Sequence, residues 1–98
     1  EAGDAAGAAA AFADLLADQT RVLGPDHPDT LTTRGNLASW RGEAGDAAGA
    51  AADFADLLKH MLRVLGANHP NVPVIRNNLA YWRHEADRAA GMSDNDRS

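Results

Sequence analysis

The sequence predicts an all-α fold built from tandem antiparallel helix hairpins, an α-solenoid with four main helices and a short C-terminal stub. Its 98 residues have room for one small domain. Residues 1–42 match residues 43–84 at 27 of 42 positions without a gap. Apolar residues recur at helical rather than strand spacing. A repeat of this length indicates one supersecondary unit that stacks on its own copy.

The first predicted helix extends from an N-cap at Asp4 to Leu23. Its apolar side chains, Phe12 among them, are spaced three or four residues apart, which places them on one side of a helix. Gly24 suits the left-handed conformation that often ends a helix, and Pro28 cannot continue one. The sequence therefore predicts a turn between these two residues.

The second helix is predicted over residues 28–41, with a glycine-rich turn at 42–46 after it. The second copy has the same plan. Helices are therefore predicted near 46–65 and 70–84, and Asp46 is the expected N-cap of the first of these.

The repeat domain is predicted to span residues 1–91. It comprises copies at 1–42 and 43–84 and an incomplete third copy at 85–91, and the polar sequence at 92–98 predicts a frayed tail. Arrays of this kind usually need about three units for stability. Apolar faces are therefore expected at both ends, and self-association is a further expectation.

Composition and charge exclude several classes of function. Cysteine is absent, which removes disulfides, thiolate metal sites and cysteine nucleophiles. The net charge of −5 has the wrong sign for binding nucleic acid or an anionic membrane surface. No apolar run approaches the roughly 20 residues that cross a bilayer, and no signal-peptide pattern opens the chain. We therefore expect a cytoplasmic protein that binds neither nucleic acid nor a membrane.

The four histidines raise the question of a metal or acid–base site. His27 and His69 belong to equivalent His-Pro pairs and are expected to orient the turn of each repeat. His60 and His84 occur only in the second copy, where a pH-sensitive contact is their functional alternative. The sequence also lacks a phosphate-binding loop, a serine nucleophile motif and a paired-carboxylate constellation. It therefore predicts no metal, no cofactor and no enzymatic activity.

A set of short motifs recurs in both copies. It comprises Asn-Leu-Ala at 36–38 and 78–80, Gly-Asp at 45–46 followed by Ala50 and Phe54, and the Leu-Gly-x-x-His-Pro linkers. With these motifs the chain resembles the tetratricopeptide repeat, in the 42-residue form of kinesin light chains and many actinobacterial proteins. The resemblance covers roughly residues 1–90.

This resemblance implies a binding scaffold without chemistry of its own. It implies a concave groove that is formed by the helices at 29–41 and 71–84 and that holds a peptide from a partner. In this branch of the family, Asn36 and Asn78 correspond to the groove residue that pairs with the ligand's backbone amides. An amide side chain carries both donors and an acceptor, which suits this role.

The two copies differ at positions spaced three and four residues apart along their second helix. Such positions share one helix face, which the family alignment places in the groove. The residues of the second copy are mostly larger or more apolar, which favours contact with a ligand, and tyrosine is a frequent anchor of binding sites. Neutral divergence at exposed positions is the alternative. The replacements are Val74 for Thr32, Asn77 for Gly35, Tyr81 for Ser39 and His84 for Gly42.

A further set of changes introduces large apolar side chains around the 62–72 loop. An apolar patch of this kind is typical of an interface or an aggregation-prone surface, and the alternative is that Leu62, Val72 and Ile75 fill the end of the core. Concentrated changes in a preserved repeat are typical of an engineered binding surface, and natural divergence produces the same pattern. The patch comprises Met61, Val72, Val74 and Ile75, with His60 at its edge.

The sequence therefore predicts a module that recognises a partner protein or peptide, mainly through the second repeat. The alternative is a structural spacer or a self-associating segment of a longer array, which makes a homo-oligomer a further expectation. The leading candidates for partner contact are Asn36, Asn77, Asn78, Tyr81 and His84, followed by Met61, Val72, Val74, Ile75 and His60.

Overall fold

The chain forms four helices and no strand within the residues that the structure describes. A computed structural model describes the backbone of residues 2–97 and the side chains of residues 4–91. The predicted all-α architecture is confirmed. The helices are α1 (Ala2–Leu23), α2 (Pro28–Glu43), α3 (Ala47–Val64) and α4 (Asn71–Arg97).

The helices pack in chain order. Extensive contacts join α1 to α2, α2 to α3 and α3 to α4, whereas α2 and α4 meet at only a few positions. The fold therefore has two layers, α1 with α3 and α2 with α4, and it is only 16 Å across its shortest dimension. Within the described range, no helix combines the length and apolar character that crossing a bilayer requires.

Glycines allow the chain to reverse after each of the first three helices. Gly24, Gly45 and Gly66 have φ angles of 94°, 111° and 86°. These values lie in the left-handed region that a Cβ disfavours, and a residue in this conformation commonly ends a helix. The helix end predicted at Gly24 is confirmed.

The two predicted aspartate caps differ in outcome. Asp46 is the N-cap of α3, because its Oδ1 accepts a hydrogen bond of 2.9 Å from the backbone N–H of Gly49. The same role predicted for Asp4 is wrong, since α1 already begins at Ala2 and Asp4 lies within its first turn. At that place its negative charge still interacts favourably with the helix dipole.

The His-Pro pairs orient the turns, as expected from their recurrence. The Nδ1 atoms of His27 and His69 accept hydrogen bonds from the backbone N–H groups of Asp29 and Asn71, both at 3.1 Å. Each bond satisfies a backbone donor at the start of α2 or α4 that has no partner within its helix. In the neutral rings the proton therefore resides on Nε2.

The core is centred on α3, because this helix is covered by α2 on one side and by α4 on the other. Phe54 and Leu57 are each 1% exposed. They pack with Leu31 from α2 and with Leu79 and Trp82 from α4.

Two members of the predicted apolar patch belong to the interior. Met61 is 3% exposed and Val72 is 2% exposed, so the prediction that they form an exposed patch is wrong. For Val72 the core alternative is correct. Met61 follows Leu57 by one helical turn and therefore shares its inner face. Val72 precedes the buried Leu79 by seven residues, which also places both on one face of α4.

α4 is longer than predicted. It was expected to end near residue 84, but it continues without interruption to Arg97. This helix includes residues 85–91, which were expected to open a third copy, and residues 92–97 of the predicted tail. Ser98 lies outside the described residues. The division into copies at 1–42 and 43–84 stays a prediction.

The sequence explains why α4 does not end where α2 does. The turn after α2 depends on Gly45 with its positive φ and on Asp46 as the cap of the next helix. The equivalent positions 42 residues later are occupied by Asp87 and Arg88. Neither the left-handed glycine nor the capping carboxylate is present there, so the helix is not interrupted.

Candidate binding groove

A groove opens between α2 and α4 and encloses a cavity of about 260 Å³. It exists because both helices pack on α3 but meet each other at only a few positions, such as Gly42 and Trp82, which leaves a gap over α3. The groove is lined by Pro28, Leu31, Thr32, Gly35, Asn36, Ser39, Phe54, Met61, Leu65, His69, Asn71, Val74, Ile75 and Asn78.

One face of each helix forms a wall of the groove. On α4 the wall consists of Asn71, Val74, Ile75 and Asn78, which are spaced at i, i+3, i+4 and i+7 and therefore share a face. On α2 the spacing is the same for Thr32, Gly35, Asn36 and Ser39. Thr32 is the repeat equivalent of Val74, and Asn36 is that of Asn78, so these two positions face the groove from both sides.

The floor of the groove is apolar. Phe54 and Met61 from α3 and Leu31 from α2 are core residues that reach the cavity. Ile75 is half-buried and packs against the same core, whereas Val74 is 53% exposed at the rim. A ligand side chain that enters the groove therefore meets a preformed apolar surface.

The lining of the groove is less charged than the chain as a whole. Asp, Glu, Lys and Arg do not occur among the lining residues, although the chain as a whole carries a net charge of −5. The polar groups that line it are amides, hydroxyls and an imidazole. Such a lining favours apolar contacts and neutral hydrogen bonds over ion pairs.

Asn36 and Asn78 offer these hydrogen bonds from opposite walls. Asn36 is exposed and Asn78 is half-buried. Within residues 4–91, neither amide bonds another side chain. Each therefore presents two N–H donors and one carbonyl acceptor, which matches the alternating acceptors and donors of a peptide backbone.

Three of the predicted groove residues lie outside the groove. Asn77, Tyr81 and His84 are exposed on α4 but do not line the cavity, so their predicted placement is wrong. Gly35 and Ser39 are the repeat equivalents of Asn77 and Tyr81. They line the groove because α4 lies opposite them. No described helix lies opposite the corresponding face of α4. Contact of these three residues with a partner stays a prediction.

Tyr81 has an intramolecular contact that the sequence did not indicate. Its ring lies 4.8 Å from the ring of Trp82, at an interplanar angle of 84°. This edge-to-face geometry is favourable for aromatic pairs. Since Tyr81 is still 52% exposed, most of the contact area that it offers faces solvent.

His60 is engaged in a polar contact between helices instead of bordering an apolar patch. Its Nδ1 accepts a hydrogen bond of 3.1 Å from Arg34 Nη1, and its Nε2 lies 2.6 Å from Asp26 Oδ1. Because Nδ1 is an acceptor, the ring proton is on Nε2 and is donated to Asp26. The contact ties α3 to α2 and to the turn before it. The partners are distant in sequence, so helical periodicity gave no signal for it.

The sequence reasoning also missed several groove residues, among them Leu31, Thr32 and Ser39 from the first copy and His69 from the second. A signal was available, because Thr32 and Ser39 are the repeat equivalents of the candidates Val74 and Tyr81. The candidates were chosen where the copies differ, and this choice favoured the second copy. Among residues with described side chains, no group of three or more His, Asp or Glu could hold a metal ion.

Comparison with known proteins agrees with this architecture. The model of the tetratricopeptide repeat family matches residues 1–29 and 30–71. The first match covers α1, the turn after it and the first two residues of α2, and the second covers the rest of α2, α3, the following loop and Asn71. No curated protein and no solved structure matches the chain.

Proposed function

Since the chain belongs to the tetratricopeptide repeat family, whose members are generally scaffolds for protein interactions, we propose that its groove binds a partner protein through an uncharged peptide segment. The observation that carries this proposal is the composition of the groove. It combines an apolar floor, no charged side chain, and two equivalent asparagines on facing walls.

The cavity of the groove has room for an anchoring side chain of a peptide and not for a whole ligand. Its volume of about 260 Å³ is below the roughly 300–1,000 Å³ of typical small-molecule pockets. One or two side chains of the peptide therefore enter the cavity, and the flanking backbone lies along the walls. Asn36 and Asn78 then pair with backbone C=O and N–H groups of the peptide.

The anchor of the peptide is apolar. A charged side chain in this groove would lose hydration without gaining an ion pair, because the lining residues carry no opposite charge. An aliphatic or aromatic side chain would instead bury apolar area against Phe54, Ile75 and Val74.

Peptide selection followed by matched substitutions tests this proposal. Peptides selected from a random library on the intact chain should share an apolar anchor with uncharged neighbours. For the best peptide, Asn78→Ala should weaken binding at least about tenfold, which corresponds to about 1.4 kcal/mol, in fluorescence anisotropy titrations. Asn77→Ala is the control, because Asn77 is the adjacent exposed amide outside the groove. Equal losses for both variants would refute the groove assignment.

A spacer or self-associating segment is the second candidate function. It is favoured by apolar side chains that α1 leaves exposed, with Leu15 at 43% and Val22 at 67%. Light scattering at several concentrations distinguishes the two, since a mass that rises with concentration supports self-association. The concentrated changes in the second repeat fit an engineered surface as well as natural divergence, and both fit the groove proposal.

A further inference from the structure

A glycine in the middle of α2 borders the groove at a position where alanine would also fit. Gly35 lies in the helix interior, where glycine is less favourable than alanine. A Cβ added to Gly35 would lie 3.6 Å from Leu57 Cδ2, 3.8 Å from Ile75 Cδ1 and 3.9 Å from Phe54 Cε1. These distances are ordinary van der Waals contacts. Packing within the chain therefore admits an alanine at position 35.

The helical glycines that follow Gly35 in the chain differ from it in this respect. At Gly42 an added Cβ would overlap the ring of Trp82, and at Gly49 it would overlap the side chain of Asp46, the N-cap of α3. At both positions a neighbouring side chain occupies the space that a Cβ needs. Around Gly35 the described side chains leave this space free, and Gly35 lines the groove.

The missing side chain leaves one corner of the groove open. Gly35 belongs to the α2 wall, the half-buried Ile75 to the α4 wall, and Phe54 to the floor on α3. A side chain at position 35 would project into the corner where these three elements meet. Without it, a ligand can approach the backbone of α2 closely, which is a common use of glycine. We call the space between Gly35, Ile75 and Phe54 the glycine corner.

We propose that Gly35 determines the size of the peptide anchor, because the glycine corner admits an aromatic side chain that a methyl group at position 35 would exclude. The proposal rests on the proposed function of the groove. A flat ring suits a space between a helix backbone and the side chain of Ile75 better than a thicker, branched aliphatic group does. The edge of the Phe54 ring at the floor also allows the edge-to-face geometry that aromatic pairs favour.

The glycine corner lies next to the amides that are proposed to hold the peptide backbone. Asn36 follows Gly35 directly on the α2 wall, and Asn78 is one turn beyond Ile75 on the α4 wall. A peptide backbone paired with these asparagines therefore has the corner within reach of a side chain. An aromatic anchor adds large contact area at a small cost in conformational entropy, since its ring is fixed by two torsion angles.

The chain contains a spectroscopic reporter of the glycine corner. Ile75 is the only isoleucine in the sequence, so labelling the isoleucine δ1 methyl with ¹³C gives a single methyl signal. The δ1 carbon of Ile75 is also the atom that lies 3.8 Å from the Cβ site of Gly35. An aromatic ring bound in the corner should shift this signal through its ring current.

Anchor substitution in a bound peptide tests the proposal on the full chain. The probes are the best peptide selected on the intact chain from a random library and versions of it with phenylalanine or valine as the anchor. In fluorescence anisotropy titrations, the phenylalanine peptide should bind at least about tenfold tighter than the valine peptide. It should also shift the δ1 signal of Ile75, whereas the valine peptide should shift it less.

Gly35→Ala should change affinity and stability in opposite directions. It should weaken the phenylalanine peptide at least about tenfold and the valine peptide less than about threefold, because the added methyl group occupies the corner. The midpoint of urea unfolding should rise, since alanine favours the helix. Gly7→Ala is the matched control, because its Cβ has nothing within 4 Å and Gly7 does not line the groove. It should leave both affinities unchanged.

Three results would overturn the proposal. If Gly35→Ala weakens the two peptides equally or not at all while Asn78→Ala weakens binding, the groove binds peptides but Gly35 does not select the anchor. If Gly35→Ala lowers the urea midpoint, the glycine is needed for packing. If no selected peptide is weakened more by Asn78→Ala than by Asn77→Ala, the proposed function of the groove fails, and the role of Gly35 fails with it.

Discussion

The hairpin of α1 and α2 contains two buried oxygen atoms without a hydrogen bond, and their removal should stabilise the protein. Gln19 Oε1 and Thr30 Oγ1 have no partner in the described part of the chain. The second hairpin has Met61 and Val72 at the equivalent positions, and both are core residues. We therefore expect the double variant Gln19→Met with Thr30→Val to transfer the apolar packing of the second hairpin to the first.

The magnitude follows from the cost of an unpaired buried polar group, about 1–3 kcal/mol. Thr30 is 1% exposed and should approach the middle of this range, whereas Gln19 is half-buried and should lie at its lower end. The free energy of unfolding should rise by about 3 kcal/mol in total. For a domain of this size, that corresponds to a rise in Tm of about 12–24 °C.

Urea denaturation and thermal unfolding followed by circular dichroism measure this change. Thr32→Val is the matched control, because it makes the same chemical change two residues away at an exposed position. Its effect should stay within about 0.5 kcal/mol. The reasoning fails if the double variant is no more stable than the parent, or if Thr32→Val stabilises as much as Thr30→Val.

Two further predictions concern glycine positions and the length of α4. Gly42→Ala should lower the free energy of unfolding in urea by about 1–3 kcal/mol, because its Cβ overlaps the Trp82 ring; Gly7→Ala, with nothing near its Cβ, should be neutral or stabilising. Asp87→Gly combined with Arg88→Asp restores the turn signals of the first copy and should interrupt α4. Backbone chemical shifts at 86–88 should then lose their helical values, and a continuous helix would contradict our account of the turn.

The periodicity of the sequence was sufficient to predict the helices and most turns, because these depend on local chemistry that recurs in both copies. The structural roles of Gly24 and of the His-Pro pairs involve only residues that are close in sequence. The same roles therefore recur at the equivalent positions of the other copy, as the repeat predicts. Asp46 caps α3 for the same reason. Asp4 has the same neighbours on its C-terminal side but lies inside α1.

The candidate site was only partly predictable, because exposure depends on which helices lie opposite a residue. Val74 and Asn78 line the groove, because both of its walls belong to the chain, and their contact with a partner stays a prediction. Met61 was expected at the surface because its equivalent, Gln19, is polar. In the structure the side chains of Met61 and Gln19 are both turned inward. The polar Gln19 is therefore the exception at this position of the repeat. The polar contact of His60 could not be predicted from the sequence, because its partners Arg34 and Asp26 come close to it only in the folded chain.

The two ends of the fold differ in a way that a repeat alignment does not show. At the N-terminal end, Leu15 and Trp40 retain the residue types of the interior and are exposed for lack of a neighbouring helix. On the outer side of α4, Asn77 and His84 replace the glycines that allow α2 to be closely covered. The first end is therefore suited to receive another helix, and the second is not.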